Sequence, residues 1–168
     1  MKILSSGRIH MRWLADEDTD FVIRLLNDKS FIDNIGDRNV RTRDDALKYI
    51  AKMRASYVAQ GFGFFLVESS SGEKMGICGV THRETLSHPD IGFAFLPEFC
   101  GKGFAFEATE AVKKHAEREW GLKKIVAIVS QGNLSSRKLL EKVGLRFESL
   151  IRLTPDDDEI EYYVWEKN

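Results

Sequence analysis

The chain has 168 residues, 43% of them hydrophobic, with 25 basic against 26 acidic side chains and a formal net charge of -1. That length is ordinary for one domain with its own core, and so balanced a charge supplies no general field for a nucleic-acid backbone or an anionic membrane surface. No window approaches the ~18 apolar residues that spanning a bilayer takes, and Cys78 and Cys100 make neither a CxxC nor a Cys/His spacing, so a soluble, metal-free protein of a reducing cytoplasm is expected.

In chain order, "RIHMRW" alternates apolar and basic residues as a half-buried strand does, and Asp16 opens a helical stretch carrying Phe21, Val22, Leu25 and Leu26. "DNIGDRNVRT" reads as a polar loop. Thr42 then N-caps a second helix with Ala46, Leu47, Ile50 and Met53 on one face and Gly61 past its end. From there the period changes to two: "GFFLVES" and "KMGICGVTHR" are predicted strands joined through the turn cluster "SSSGE". "DIGFAFL", Asp90 to Leu96, is a third apolar strand, followed by the glycine-containing loop "PEFCGKG" and a helix with Phe104, Ala108, Ala111, Val112, Ala116 and Trp120 at helical spacing, closed by Gly121. "KKIVAIVS" is nearly continuous in apolar residues, as a strand covered on both faces is, so strand, helix and strand make a βαβ unit with a right-handed crossover. "NLSSRKLLEKVG" is a short capped helix, and "LRFESLIRL" and "EIEYYVWEK" close the chain as a hairpin around "TPDDD". No linker or repeat divides residues 1–168, and one domain is expected.

The loop before the long helix is a candidate anion cradle, because main-chain N–H groups and the positive end of the helix dipole meet there. A triphosphate loop needs GxxxxGK[ST], and nothing from Gly92 to Gly103 has that spacing or its hydroxyl. A dinucleotide fingerprint needs a third glycine where Phe106 stands and an acidic residue where Lys123 and Lys124 stand. Two readings remain from the residues alone: a pyrophosphate cradle, or a plain strand-to-helix turn with glycine for positive φ.

"PEFCGKGFAFEA" resembles the acyl-coenzyme A loop of the GNAT N-acetyltransferases, whose pattern Q/RxxGxG/A falls on Cys100, Gly103 and Ala105, and "NLSSRKLLEKVGL" is similar to their next motif. "RWLADEDTDFVIRLLND", "MGICGV" and "EKVGLRF" extend the likeness to the Rim-type branch, which includes the ribosomal-protein N-terminal acetyltransferases, over essentially the whole chain. The resemblance implies a mixed α/β fold: a central, mostly antiparallel sheet splayed around one βαβ unit, with helices on both faces. It implies direct attack of an amine on the thioester of acetyl-coenzyme A (acetyl-CoA), with no metal and no acyl-enzyme. A non-catalytic acyl-coenzyme A sensor is the alternative, and the chain is expected to be a monomer or homodimer.

The same resemblance assigns the site. Cys100, Gly101, Lys102, Gly103, Phe104 and Ala105 hold the pyrophosphate, open backbone groups at Phe95 and Leu96 meet the pantetheine amides, and Asn133 and Arg137, with Lys138 beside them, reach the rest of the coenzyme. Asp90 matches a glutamate that some relatives use as general base, the other reading being a solvated carboxylate after His88 and Pro89, with His82 and Glu84 as the other candidate bases; Ser136 either donates to the leaving thiolate or completes the first turn of its helix. Two positions depart from the pattern: Cys100 stands where glutamine or arginine is usual, and Leu140 where many relatives carry a proton-donating tyrosine. Cys100 as a covalent nucleophile is the sharper alternative for the first. Glu107 is read as a structural tie for the loop. "NIGDRNVRT" and the acidic run Asp156 to Glu159 frame the acceptor side, where the run either steers a cationic amine or is a solvated turn.

Overall fold

The computed structural model describes residues 3–168. Its strands are β1 (Leu4–Ser6), β2 (Ile9–Trp13), β3 (Phe64–Ser69), β4 (Lys74–Thr81), β5 (Asp90–Phe95), β6 (Lys124–Ser130), β7 (Arg146–Ile151) and β8 (Ile160–Glu166). Its helices are α1 (Thr19–Leu26), α2 (Lys29–Asn34), α3 (Arg43–Gln60), α4 (Phe104–Arg118) and α5 (Leu134–Val143). The strands form a single eight-stranded sheet in the order β1-β2-β3-β4-β5-β6-β8-β7, with every neighbouring pair antiparallel except β5 and β6. This is the expected sheet, mostly antiparallel around one βαβ unit.

Strand alternation sends side chains to two cores. On one face Ile91, Phe95, Ile125, Ala127 and Tyr163 pack against Ala108, Val112 and Ala116 of α4 and Leu140 and Val143 of α5. On the other, Leu66, Ile77 and Leu96 meet Phe21, Val22, Leu25 and Leu26 of α1 and Ala46 and Ile50 of α3. The second core includes no residue of β6 or β8. At that end of the face Ile128, Tyr162 and Val164 are left half-buried, and Ser130 Oγ donates to Asn34 O at the end of α2 at 2.9 Å.

Two elements were not legible in the pattern. β1 has three residues and turns into β2 through Gly7, whose φ of +49° suits glycine. α2 falls between the first helix read in the sequence and the polar loop from Asp33 to Thr42, overlapping that loop only at Asp33 and Asn34; the Asp28 side chain accepts from Ser30 N–H at its start, and only Phe31 is buried, so there is no apolar period to detect. A 3-10 turn, Asp16–Asp18, precedes α1, and Asp18 is fully buried beneath Arg12 and Lys74.

Candidate functional site

The site begins where the sheet comes apart. Leu96 donates its N–H to Met75 O at 2.9 Å, and the register sets Ala94 opposite Ile77 and Gly92 opposite Gly79. In an antiparallel strand a residue's N–H and C=O point the same way and successive residues alternate. The even-numbered residues of β5 therefore face β4, and Phe93 and Phe95 turn their backbone groups toward β6. But the one β5–β6 bridge joins Asp90 to Val126, with Val126 N–H donating to Pro89 O at 3.0 Å, and past it the two strands part. The result is a cleft edged by open main-chain donors and acceptors. Phe95 lies on that edge, with its carbonyl 3.8 Å from Cys100 Sγ. Leu96 does not, because its N–H serves β4 and its carbonyl accepts from Phe99 N–H at 3.0 Å; Phe93 takes that place.

Below the cleft, the chain makes a 3-10 turn, Pro97–Phe99, and runs through Cys100 to Gly103 into α4. Gly101 and Gly103 both have positive φ, +74° and +85°, the conformation that lets successive N–H groups converge. Gly103 is the N-cap and provides no side-chain cap, and the first helical bond is Glu107 N–H to Gly103 O. The N–H groups of Phe104, Ala105 and Phe106 thus have no carbonyl partner within the helix, which fits a bound anion. The Sγ of Cys100 turns back toward Leu96 O at 3.5 Å and Phe95 O at 3.8 Å, away from the helix start. Partial burial, with Asp28 and Glu98 nearby, pushes the thiol above its ordinary range, the opposite of the lowering a helix start would bring. Lys102 is exposed.

On the far side of the cleft β6 leads into α5. Asn133 caps this helix, its Oδ1 accepting from Ser136 N–H at 3.3 Å and Ser135 Oγ at 3.2 Å. Ser136 is half-buried in the first turn, and Arg137 is tied to Glu141 one turn on at 3.3 Å. Leu140 points into the core, 1% exposed, so this position has no route to a thiolate.

Asp90 stands at the point where the strands part, on the face of Ile128 and Tyr162. It is not a solvated carboxylate. It is 1% exposed, Oδ2 accepts from Arg83 Nε at 3.2 Å, and Oδ1 is the one buried side-chain oxygen among the described residues with no partner. Burial raises its pKa above the ordinary carboxylate range, with Arg83 pulling the other way. Tyr162 lies on the same face and feels the Asp90 charge. Arg83 and Tyr162 carry no motif, and only the strand register brings them to Asp90. His82 and Glu84 stay in the exposed loop, where His82 Nε2 meets Leu86 O and its backbone pairs with Gln60. In the acidic run, Asp157 caps Thr154 and Glu159 pairs with Arg152, so half of the run holds its own turn.

A sheet opened at its single parallel step, above an uncapped glycine helix start, is the architecture of the N-acetyltransferase fold that the sequence resembles. The comparisons agree: a family model described as the acetyltransferase (GNAT) domain matches residues 8–146, and the chain belongs to that family. It is similar to the uncharacterized N-acetyltransferase YoaA of Bacillus subtilis (strain 168), 26% identical over 153 residues, 89% of this chain and 86% of that one. Its fold matches the crystal structure of an acetyltransferase from Agrobacterium tumefaciens with a TM-score of 0.83 at 21% identity, covering 98% and 94% of the two chains. It also matches RimL, described as a ribosomal L7/L12 alpha-N-protein acetyltransferase and solved with coenzyme A, with a TM-score of 0.82 at 15% identity over 96% of each chain. The protein is an acetyl-CoA-dependent N-acetyltransferase.

Proposed function

We propose that the β5–β6 cleft holds the pantetheine arm of acetyl-CoA, that Cys100 to Ala105 hold its pyrophosphate, and that a primary amine attacks the thioester directly. The parted strands carry this reading: they leave Phe93 and Phe95 with unmatched backbone groups of the kind an amide-bearing arm pairs with, as an added strand would. The same N–H groups are fixed in advance and can stabilise the oxyanion that forms as the amine adds. The acceptor approaches over the half-buried strip of Ile128, Tyr162 and Val164, past Asp90. Residues 1–168 work as one domain, as a monomer or homodimer.

The amine must be neutral to attack. An α-amino group with pKa about 7.7 to 8.0 is roughly a tenth to a fifth neutral at pH 7, but a lysine-like amine near 10.4 only about one part in 2500. Asp90, with an unpartnered oxygen and a raised pKa, is the base that relieves the second case, through a water where it does not reach directly. Ser136 supplies the hydroxyl for the departing thiolate, the role Leu140 does not fill. Asn133 holds the start of α5 against the coenzyme, and Arg137 lies on its outer face.

Calorimetry with acetyl-CoA tests the shared site, and thiol release over a panel of peptide N-termini, polyamines and amino sugars tests transfer and names the acceptor. Tight binding with turnover on at least one primary amine is expected. No binding of acetyl-CoA would end the reading.

A further inference from the structure

Arg8, which no motif singled out, is built into the coenzyme loop from outside it. It follows Gly7 in the turn between β1 and β2, and its backbone is held on both sides. Its N–H donates to Glu107 Oε2 at 3.3 Å, and its carbonyl accepts from Ser70 N–H and Ser70 Oγ, both at 3.1 Å. The side chain then reaches the start of α4: the guanidinium carbon lies 4.2 Å from the centroid of the Phe104 ring, and Nε lies 3.7 Å from Glu107 Oε1. A Cβ placed on Gly103 would come within 3.2 Å of Arg8 Nη2, so the tip of the guanidinium stands against the N-cap residue of the uncapped helix.

A guanidinium stacked on a ring and tied along one edge has little freedom left to lose, and its free edge presents paired donors of the geometry a phosphate accepts. The side chain remains 51% exposed, so that edge is open. The loop's own residues do not duplicate it, since Cys100 is turned back on the strand-end carbonyls and Lys102 hangs in solvent. Glu107 also makes sense in this light. A carboxylate in the first turn would repel an anion at the helix start, and pairing with Arg8 offsets that charge.

We infer that Arg8 is the side-chain cation of the pyrophosphate site, delivered by the β1–β2 turn and positioned by Glu107 and Phe104. The inference rests on the acetyl-CoA reading above. It makes the N-terminal hairpin part of the coenzyme site.

The test compares two donors in the full chain: acetyl-CoA, and S-acetylpantetheine, which has the same thioester arm but no pyrophosphate. Arg8→Gln is expected to lower kcat/KM for acetyl-CoA about tenfold, mostly through KM, with a shallower dependence on salt, and to leave S-acetylpantetheine unchanged. Arg8→Lys, which keeps the charge but not the paired donors, should show a smaller loss of the same donor-selective kind. Equal losses with both donors would mean that Arg8 only holds the fold, and no loss with acetyl-CoA would mean that it does not meet the phosphates; either overturns the inference. Should Arg8→Gln fail to fold, Arg8→Lys decides alone by the same comparison. If the unaltered protein does not bind acetyl-CoA, the coenzyme reading falls and this inference with it, an outcome distinct from normal binding unchanged by substitution at Arg8.

Discussion

Replacing Asp90 by asparagine keeps its shape, removes its charge, and separates its two roles. In the folded protein Oδ1 is buried without a partner, a cost of about 1–3 kcal/mol for such a group, while Oδ2 gains a charge-assisted bond to Arg83 worth about 1.5–3 kcal/mol. Asp90→Asn weakens the second to a bond with a neutral oxygen and leaves an amide nitrogen in the unpartnered position, but it removes the cost of burying a charge, so the net change in stability should stay within about 1–2 kcal/mol, a shift in Tm of at most ~8 °C at this chain length. Activity should not be spared: loss of a general base typically costs 10²–10⁴-fold, with the fall largest for lysine-like amines and smallest for α-amino groups. Thiol-release kinetics at saturating acetyl-CoA, beside a thermal melt of the same preparation, reads both. The pH dependence has a fixed sign. The folded pKa of Asp90 lies above the ordinary carboxylate value, so its contribution to stability is fully present below that value and is lost as pH rises through the raised one. The asparagine variant should therefore gain on the parent as pH increases. A variant that unfolds outright but is fully active when held folded, or one of unchanged stability and unchanged kcat/KM, would refute the assignment and leave Asp90 a structural anchor for Arg83.

Three further outcomes are expected. Cys100→Ala should retain full turnover and no acylated Cys100 should be found by mass spectrometry of the parent, since its thiol is raised and turned toward two carbonyls; an acyl-cysteine formed at the rate of turnover would overturn direct transfer. Gly103→Ala forces a side chain into a positive φ and crowds Arg8 Nη2, so it should cost about 1–2 kcal/mol in stability and weaken coenzyme binding in calorimetry, and an unaffected Kd would show that the loop works in another conformation. Burial opposes ionisation of Asp18, but bonds from Arg12, Lys74 and Ala15 N–H outweigh it and hold its pKa at about 2, below the ordinary carboxylate range. That contributes ~2 kcal/mol present above the unfolded pKa and lost as pH falls through the folded one. Asp18→Ala removes the shared partner of Arg12 and Lys74 but leaves Arg12 paired with Glu68, so it should cost about 2–3 kcal/mol in urea denaturation, and a loss below 1 kcal/mol would show the network to be slack.

How far the chain could be read depended on whether a residue's role is local. The cap at Thr42, the glycines Gly61 and Gly103, and the apolar run in "KIVAIVS" concern neighbours within a few positions, so each was legible, and the order of the longer elements followed from them. The proposed coenzyme loop was legible for the same reason: what marks it is a run of consecutive backbone groups whose spacing is written in the glycines. α2 was missed because one buried phenylalanine makes no period, and β1 because three residues are too few to alternate.

The sequence by itself determined the family and the order of the longer strands and helices, and it marked the glycine loop as a candidate anion cradle, all of which depend on short-range spacing. Only the tertiary structure decided which backbone groups of β5 stay open, because that depends on a register with β4 and on where β6 departs. It alone made Asp90 a buried carboxylate with one free oxygen instead of a solvated one, since its cover comes from Arg83 and its neighbours Val126 and Tyr162 from distant strands. And it alone brought Arg8 to a loop nearly a hundred residues away, held by Glu107 at a sequence separation of 99, a contact no local pattern encodes.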